Sequence, residues 1–478
     1  MIGELIAGLR TGDNRPAIIA GRRPPASRGD LADLVTGYAA ALHAEGLAAG
    51  DTVGFAVRPG PRSLATMLAA YHLGLRVAVL DPTAGPDVLL ARLRLADPRL
   101  VLADSAAQAV AGWAAPLARR ARLALPDFAE LAPTRTIGRR LPGSAPVLAP
   151  AAGPRPPGHD GDGDAVIVFT SGTTSSPRAV VHTRASITAG MRVVHDLVRP
   201  GPGRPVLGGT FFVLVPSLAG EAPVALPARR PAALARQLST LNPQATYLTP
   251  PQLRAALAAG ARFTGRVYSG SAPVSATLLE RVRASGADRA WGVYALTEVF
   301  PAAVVEATAK SAFTGDGDLV GDLLPGVRAR IGDDGQVQLA GPNAADRYLG
   351  SAPAEWITTG DIGRLDAGRL VLGGRAKDMI LRGAENIYPG LYEPALHVPG
   401  VELAVIVGVP AGDGDERVVA IVQPAAGAVP AQVRAALREP LRRMGSARPD
   451  AVLLADIPLA GRSRKPDRAA AARLAAGS

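Results

Sequence analysis

The chain has 478 residues, 48% of them hydrophobic and 19% charged, which is enough to bury a sizeable core in two or more domains and excludes disorder as its general state. With no cysteine, disulfide scaffolds, thiolate metal sites and acyl transfer through a protein thiol are excluded too. The net charge of +11 is spread over single and paired arginines, and aromatics are only 4%, so a nucleic-acid partner is not expected.

The N-terminal MIGELIAGLR holds Glu4 and Arg10 and lacks the apolar centre of a secretion signal, so a cytoplasmic protein is expected. Leu31, Leu34, Val35, Tyr38 and Leu42 fall at helical spacing and predict an amphipathic helix that ends near Gly46, before a strand TVGFAV. The pattern recurs over 63–80 and 87–103, so a mostly parallel sheet with crossover helices is the expected architecture. From Pro142 to Asp164 the chain is rich in Pro, Gly and Asp and reads as an exposed junction. Alternation resumes with strands expected at 165–170, 211–215, 245–249, 265–270 and 290–294, a second α/β sheet. Past about residue 320, short turn-linked strands read as hairpins or a small β-barrel. The last hundred residues, with LAVIVGVP, VVAIVQP and a helix over 430–443, read as a separate small α+β unit. The longest uncharged apolar stretch, Pro205–Gly220, is broken by glycines and Pro216 and is too short to span a membrane.

Five segments carry the chemistry. FTSGTTSSPRAVVHT (169–183) is a strand, a Gly/Ser/Thr loop and a second strand. Its backbone N–H and hydroxyl groups can surround phosphate oxygens, with Arg178 adding charge. The same composition also fits a flexible linker. YALTE (294–298) follows a buried strand. Tyr294 offers a flat face for a purine and Glu298 a hard oxygen for magnesium, although Thr297 also suits a helix N-cap. In WITTGD (356–361), Asp361 can accept hydrogen bonds from two ribose hydroxyls, or sit in a solvated turn. GRAKDMILRGAENIYP (374–389) and IPLAGRSRKPDRAA (457–470) each read alone as basic surface loops. They nevertheless contain Lys377 and Lys465, two of only three lysines beside Lys310, which points to a need for a compact ammonium.

Together and in this order, the five segments resemble those of the acyl-adenylate-forming superfamily of acyl-CoA synthetases, adenylation domains and luciferases. The resemblance extends over nearly the whole chain, including GLAAGDTVGFAV, YSGSAPVS (268–275) and GDDGQVQLAGPNAADRYLG. It implies an α/β fold with a large N-terminal core, 1–375, of two stacked α/β subdomains and a small barrel-like subdomain. A mobile α+β lid would follow over 376–478, hinged at Lys377. It implies that Thr170, Ser171, Gly172, Thr173, Thr174 and Arg178 hold the ATP phosphates. Gly270, Ser271, Ala272 and Tyr294 would frame the adenine, and Asp361 and Arg375 the ribose. Thr297 would touch the α-phosphate, Glu298 would serve Mg2+, and Gly383 would line the acceptor tunnel. Lys465 would bridge the attacking carboxylate and the α-phosphate, with Arg464 the competing register.

The sequence departs from that pattern at Ser175 and Ala295, where the family commonly has Gly, and at Arg178, where it commonly has Lys. The implied activity is ATP-dependent activation of a small or aromatic carboxylic acid, with pyrophosphate released and the acyl group passed to a thiol. The acceptor is coenzyme A or the phosphopantetheine arm of a carrier protein. Because the chain runs only to Ser478, a carrier is expected as a separate partner. An amine acceptor, nitrite-dependent diazotisation of an arylamine, and a catalytically silent nucleotide-binding protein are the alternatives. The segment PVLGGTFFV (205–213) holds no acid to pair an α-ammonium, which disfavours amino acids. Phe211 and Phe212 suit either an apolar pocket or plain sheet core.

Overall fold

The computed structural model describes residues 1–12, 14–21, 24–81, 86–111, 132–170, 178–382, 385–412, 415–461 and 464–477. Helix Arg28–Ala44 starts where Ser27 and Asp30 form a reciprocal cap: the Asp30 N–H donates to Ser27 Oγ at 3.0 Å and the Ser27 N–H to Asp30 Oδ2 at 2.8 Å. It ends beside Gly46, at φ +77°, and buries Leu31, Val35, Tyr38 and Leu42 against helix Pro61–His72. Strands Thr52–Ala56, Arg76–Val79, Leu100–Ala103 and Thr134–Thr136 then build a parallel sheet with Asp164–Phe169. Strand Ala179–Thr183 joins its edge antiparallel, and Arg347–Tyr348 covers that strand in turn.

The second sheet has thirteen strands. Its parallel part runs through Val206–Leu207, Ala245–Tyr247, Arg266–Ser269 and Arg289–Tyr294. Beyond it, Ala303–Glu306, Asp318–Leu323, Arg369–Arg375, Ile357–Asp366, Gln336–Ala340 and Arg328–Ile331 continue antiparallel. The hairpins expected past residue 320 therefore extend the second sheet.

One expected strand is corrected. Residues 211–215 begin a helix, Phe211–Ala219, after Thr210 and before Gly220. Val213, Leu214, Val215 and Leu218 are all buried, and a helix apolar on every side shows no periodicity that separates it from a strand.

Residues 380–475 form hydrophobic clusters of their own, around Ile406, Val422 and Leu437 on one face and Val407, Ile421 and Ala471 on the other. Their three-stranded sheet is built from Val401–Gly412, Asp415–Pro424 and Ala451–Leu454, and helix Pro430–Arg443 lies where the sequence places it. This C-terminal unit touches the second sheet through bare backbone. A Cβ on Gly390 would lie 2.5 Å from the Gly374 Cα, and the Gly317 N–H donates to the Leu391 carbonyl at 3.0 Å. Only glycine permits that approach.

Candidate active site

The loop between Asp164–Phe169 and Ala179–Thr183 is closed at its neck by the Thr170 N–H donating to the Arg178 carbonyl at 3.0 Å. Ser171, Gly172, Thr173, Thr174 and Ser175 lie outside the described residues, as does Gly383. Arg178 is exposed, with its guanidinium 5.6 Å from the centre of the Tyr348 ring.

Strand Arg289–Tyr294 delivers Tyr294, Ala295, Thr297 and Glu298 at its C-terminal end, where open α/β sheets collect ligand groups. No helix follows Thr297, which corrects the capping alternative. Instead, 296–299 is a tight turn with Leu296 N–H bonded to Val299 O at 3.0 Å and Ala345 N–H to Glu298 O at 2.7 Å. Next door, Gly270–Ala272 leaves strand Arg266–Ser269. A Cβ on Gly270 would stand 2.7 Å from the Val293 carbonyl, and Ser271 adopts φ +68° with its hydroxyl 2.9 Å from Tyr247 Oη.

Asp361 is not in a solvated turn. It lies 5% exposed in strand Ile357–Asp366, directly opposite Arg375. Arg375 Nε is 2.7 Å from Asp361 Oδ1, and Tyr294 Oη donates to Asp361 Oδ2 at 2.5 Å. Burial raises the Asp361 pKa and Arg375 opposes that shift. Burial and the adjoining carboxylate hold Tyr294 well above the usual phenol, so it keeps its proton. Each Asp361 oxygen retains a lone pair to accept a further donor. The arrangement links the expected adenine and ribose elements in one chain of contacts.

Lys465, on a two-residue strand paired with Leu459–Ala460, is reached by solvent but partly desolvated by the protein around it. That partial desolvation and Arg375 push its pKa down, while Asp361 pulls it up. Lys465 is therefore the C-terminal cation within electrostatic reach of Asp361, whereas neighbouring Arg464 occupies an exposed left-handed turn at φ +48°. Lys377 is exposed in the single turn Ala376–Asp378. Beside it, Asp378 pairs with Arg468 at 3.0 Å.

Behind the Ala295 turn lies a narrow cavity of about 40 Å³, lined by Leu197, Phe212, Val213, Tyr268, Val293, Ala295 and Phe300 among others. Phe212 and Phe300 meet at 4.2 Å between ring centres, and Tyr268 stacks on Trp291 at 4.9 Å. No charged residue lines it.

Three contributors escaped the sequence reading. His182, 2% exposed, donates from Nε2 to the Thr297 carbonyl at 2.7 Å, and burial lowers its pKa. Tyr348, its pKa pushed up to about 12 by burial and Glu298, donates to Glu298 Oε1 at 2.9 Å. Glu402 of the C-terminal unit holds Arg254 at 3.0 Å and Arg281 at 2.8 Å. The motif VVHT contained a signal for His182. Nothing local marks Tyr348 or Glu402.

Among the described residues no three His, Asp or Glu side chains gather as a metal cage. A single carboxylate, Glu298, suits magnesium, which keeps several waters and takes its other oxygens from substrate phosphates. Among the same residues, no helix is long and apolar enough to cross a membrane.

A family model of AMP-binding enzymes matches residues 7–349. That range includes the phosphate-loop motif and Tyr294–Glu298 and ends before Asp361. The feruloyl-CoA synthase of an Amycolatopsis species is 30% identical over 440 residues, covering 83% of each chain. The indoleacetate–CoA ligase of Aromatoleum aromaticum is 27% identical over 462 residues, 84% of each. In fold, the chain is similar to the amide bond synthetase McbA of Marinactinospora thermotolerans, with a TM-score of 0.81 and 24% identity over 99% of both chains. It is likewise similar to ATP-bound MatB of Rhodopseudomonas palustris, with a TM-score of 0.79 and 22% identity over 100% of this chain and 99% of that one.

Proposed function

We propose that this chain, which belongs to the AMP-binding enzyme family, activates a small or aromatic carboxylic acid that bears no charge beyond its carboxylate, using ATP, and passes the acyl group to a thiol. The observation that carries the reading is the contact chain Tyr294–Asp361–Arg375, with Lys465 in electrostatic reach of Asp361 and with Thr297 and Glu298 just past Tyr294 on the same segment. ATP would lie with adenine against Gly270–Ala272 and Tyr294, ribose on Asp361 and Arg375, and phosphates toward Thr170, Thr297 and Arg178. Magnesium, held by Glu298, would neutralise charge on the triphosphate.

The acid's carboxylate would attack the α-phosphorus, forming the acyl-adenylate as the bond to pyrophosphate breaks. Both reactants are anionic, so the site's work is electrostatic. Lys465 would draw carboxylate and phosphate together and stabilise the charge that develops between them. A thiol would then attack the acyl carbon, AMP would leave, and the thiol proton would pass to solvent. For that second step the C-terminal unit would turn about Lys377 and withdraw Lys465. The curated relatives named as CoA ligases support coenzyme A as the thiol.

The cavity supports the substrate class. Its lining is uncharged, so acids with a free α-ammonium should be activated at least tenfold more slowly than their desamino analogues, because a poorly compensated buried ion is costly. A pyrophosphate-release screen over aliphatic, aryl and amino acids checks this. Preference for an amino acid over its desamino analogue overturns the assignment. The screen, run with coenzyme A, hydroxylamine or an arylamine plus nitrite, also separates thioester, amide and diazotising outcomes. In the same screen Phe212→Leu, which trims the ring packed on Phe300, should shift relative kcat/KM toward bulkier acids by roughly tenfold or more, since a single methylene in an apolar pocket is already worth about that much.

A further inference from the structure

Strand Ala179–Thr183 begins at the neck of the phosphate loop, where Arg178 O accepts from Thr170 N–H. Four residues along, it presents His182, buried and bonded through Nε2–H to the Thr297 carbonyl at 2.7 Å. The other ring nitrogen lies 3.3 Å from Ser186 Oγ, on the first turn of helix Arg184–Val198. Apart from the Tyr348 hydroxyl, which holds the Glu298 side chain at 2.9 Å, the ties of the 296–299 turn are in main chain, at Leu296, Ala345 and Val299. His182 is thus the side chain that fixes the carbonyl of Thr297, and it does so from the strand that leaves the phosphate loop.

We propose that His182 is a positioning residue that sets the register of the Thr297–Glu298 turn against strand Ala179–Thr183. The inference rests on the nucleotide site proposed above and assigns His182 no contact with substrate. Losing its N–H leaves the partly buried Thr297 carbonyl without that partner, and the turn relaxes. A shift of about 1 Å in groups that meet phosphate is enough for losses on the order of a hundredfold. The adenosine half of the site, Tyr294 with Asp361, is anchored separately through Arg375 and stays in place.

The test compares wild type, His182→Gln, whose amide N–H can replace Nε2–H, and His182→Leu, which fills the space without a donor. Calorimetry measures the affinity of the full chain for MgATP and for adenosine, and pyrophosphate release gives kcat and KM. For His182→Leu, MgATP affinity should fall about tenfold and kcat by ten- to a hundredfold, with adenosine affinity unchanged. His182→Gln should restore both. Equal loss of MgATP and adenosine binding indicates general loosening and overturns the proposal. So do a His182→Gln variant as impaired as His182→Leu and a His182→Leu variant that binds MgATP like wild type. If wild type binds MgATP but activates no acid, the ligase reading fails while the binding series still decides the role of His182.

Discussion

Lys465→Ala is expected to lower acyl-adenylate formation by roughly a hundredfold or more while ATP still binds, the usual scale for removing one donor aimed at developing charge. The exposed ammonium is within electrostatic reach of Asp361 and Arg375, and ribose and adenine contacts would be untouched by its loss. The effect should therefore fall on kcat more than on KM for ATP. Pyrophosphate release measured beside equilibrium ATP binding checks the split. Arg464→Ala, altering an exposed turn, should leave release near wild type; if it abolishes release while Lys465→Ala does not, the register is one residue off. The pH profile gives a second readout. Desolvation and Arg375 lower the Lys465 pKa from 10.5, so in the free enzyme the charged form is lost as pH rises through a value below 10.5. The alkaline limb of kcat/KM should lie there. The limb of kcat, which reports the ATP-bound state, should lie higher, because triphosphate stabilises the ammonium.

Asp361→Ala should raise KM for ATP by about two to four orders of magnitude, since hydrogen bonds to a charged group are worth about 1.5–3 kcal/mol each and two ribose hydroxyls would lose their acceptor. The substitution also strands Tyr294, whose hydroxyl would lose its carboxylate partner in a buried place. Asp361→Asn, which keeps one acceptor, should fall between the two. Discrimination between ATP and its dideoxy analogue measures the effect directly: wild type should favour ATP strongly, and Asp361→Ala should bind both alike. Retained discrimination would place the ribose elsewhere.

The alternating helices and strands of the first 103 residues were legible because each helix buries one stripe and each parallel strand is a short apolar run between turn residues. Phe211–Ala219 was misread because an apolar run buried on every side carries no period. Asp361 was legible as a functional candidate, but its burial came from a partner fourteen residues on, Arg375, which local composition does not reveal. His182 and Thr297 are 115 residues apart, and Tyr348 and Glu298 50 apart. Such pairs exist only once the edge of the first sheet has been brought to the C-terminal end of strand Arg289–Tyr294. The proposed catalytic side chains stand in recognisable motifs, whereas the residues that hold them are scattered through the fold.

The fork in which Glu402 holds Arg254 and Arg281 has a consequence for solution conditions. Arg254 and Glu402 are only 14% and 17% exposed, and such pairs are screened far less by mobile ions than surface pairs, such as Arg442 and Arg443 with Glu439. Added salt should therefore loosen the outer face of the C-terminal unit's helix without prising that unit from Arg254. Scattering curves in low and molar salt should superpose, whereas Glu402→Gln should broaden the distribution of shapes at any ionic strength. In this molecule the resting arrangement is held, beside the backbone approach at Gly390 and Gly374, by an ion pair kept partly dry, so it should respond to a change at Glu402 more than to the salt in the medium.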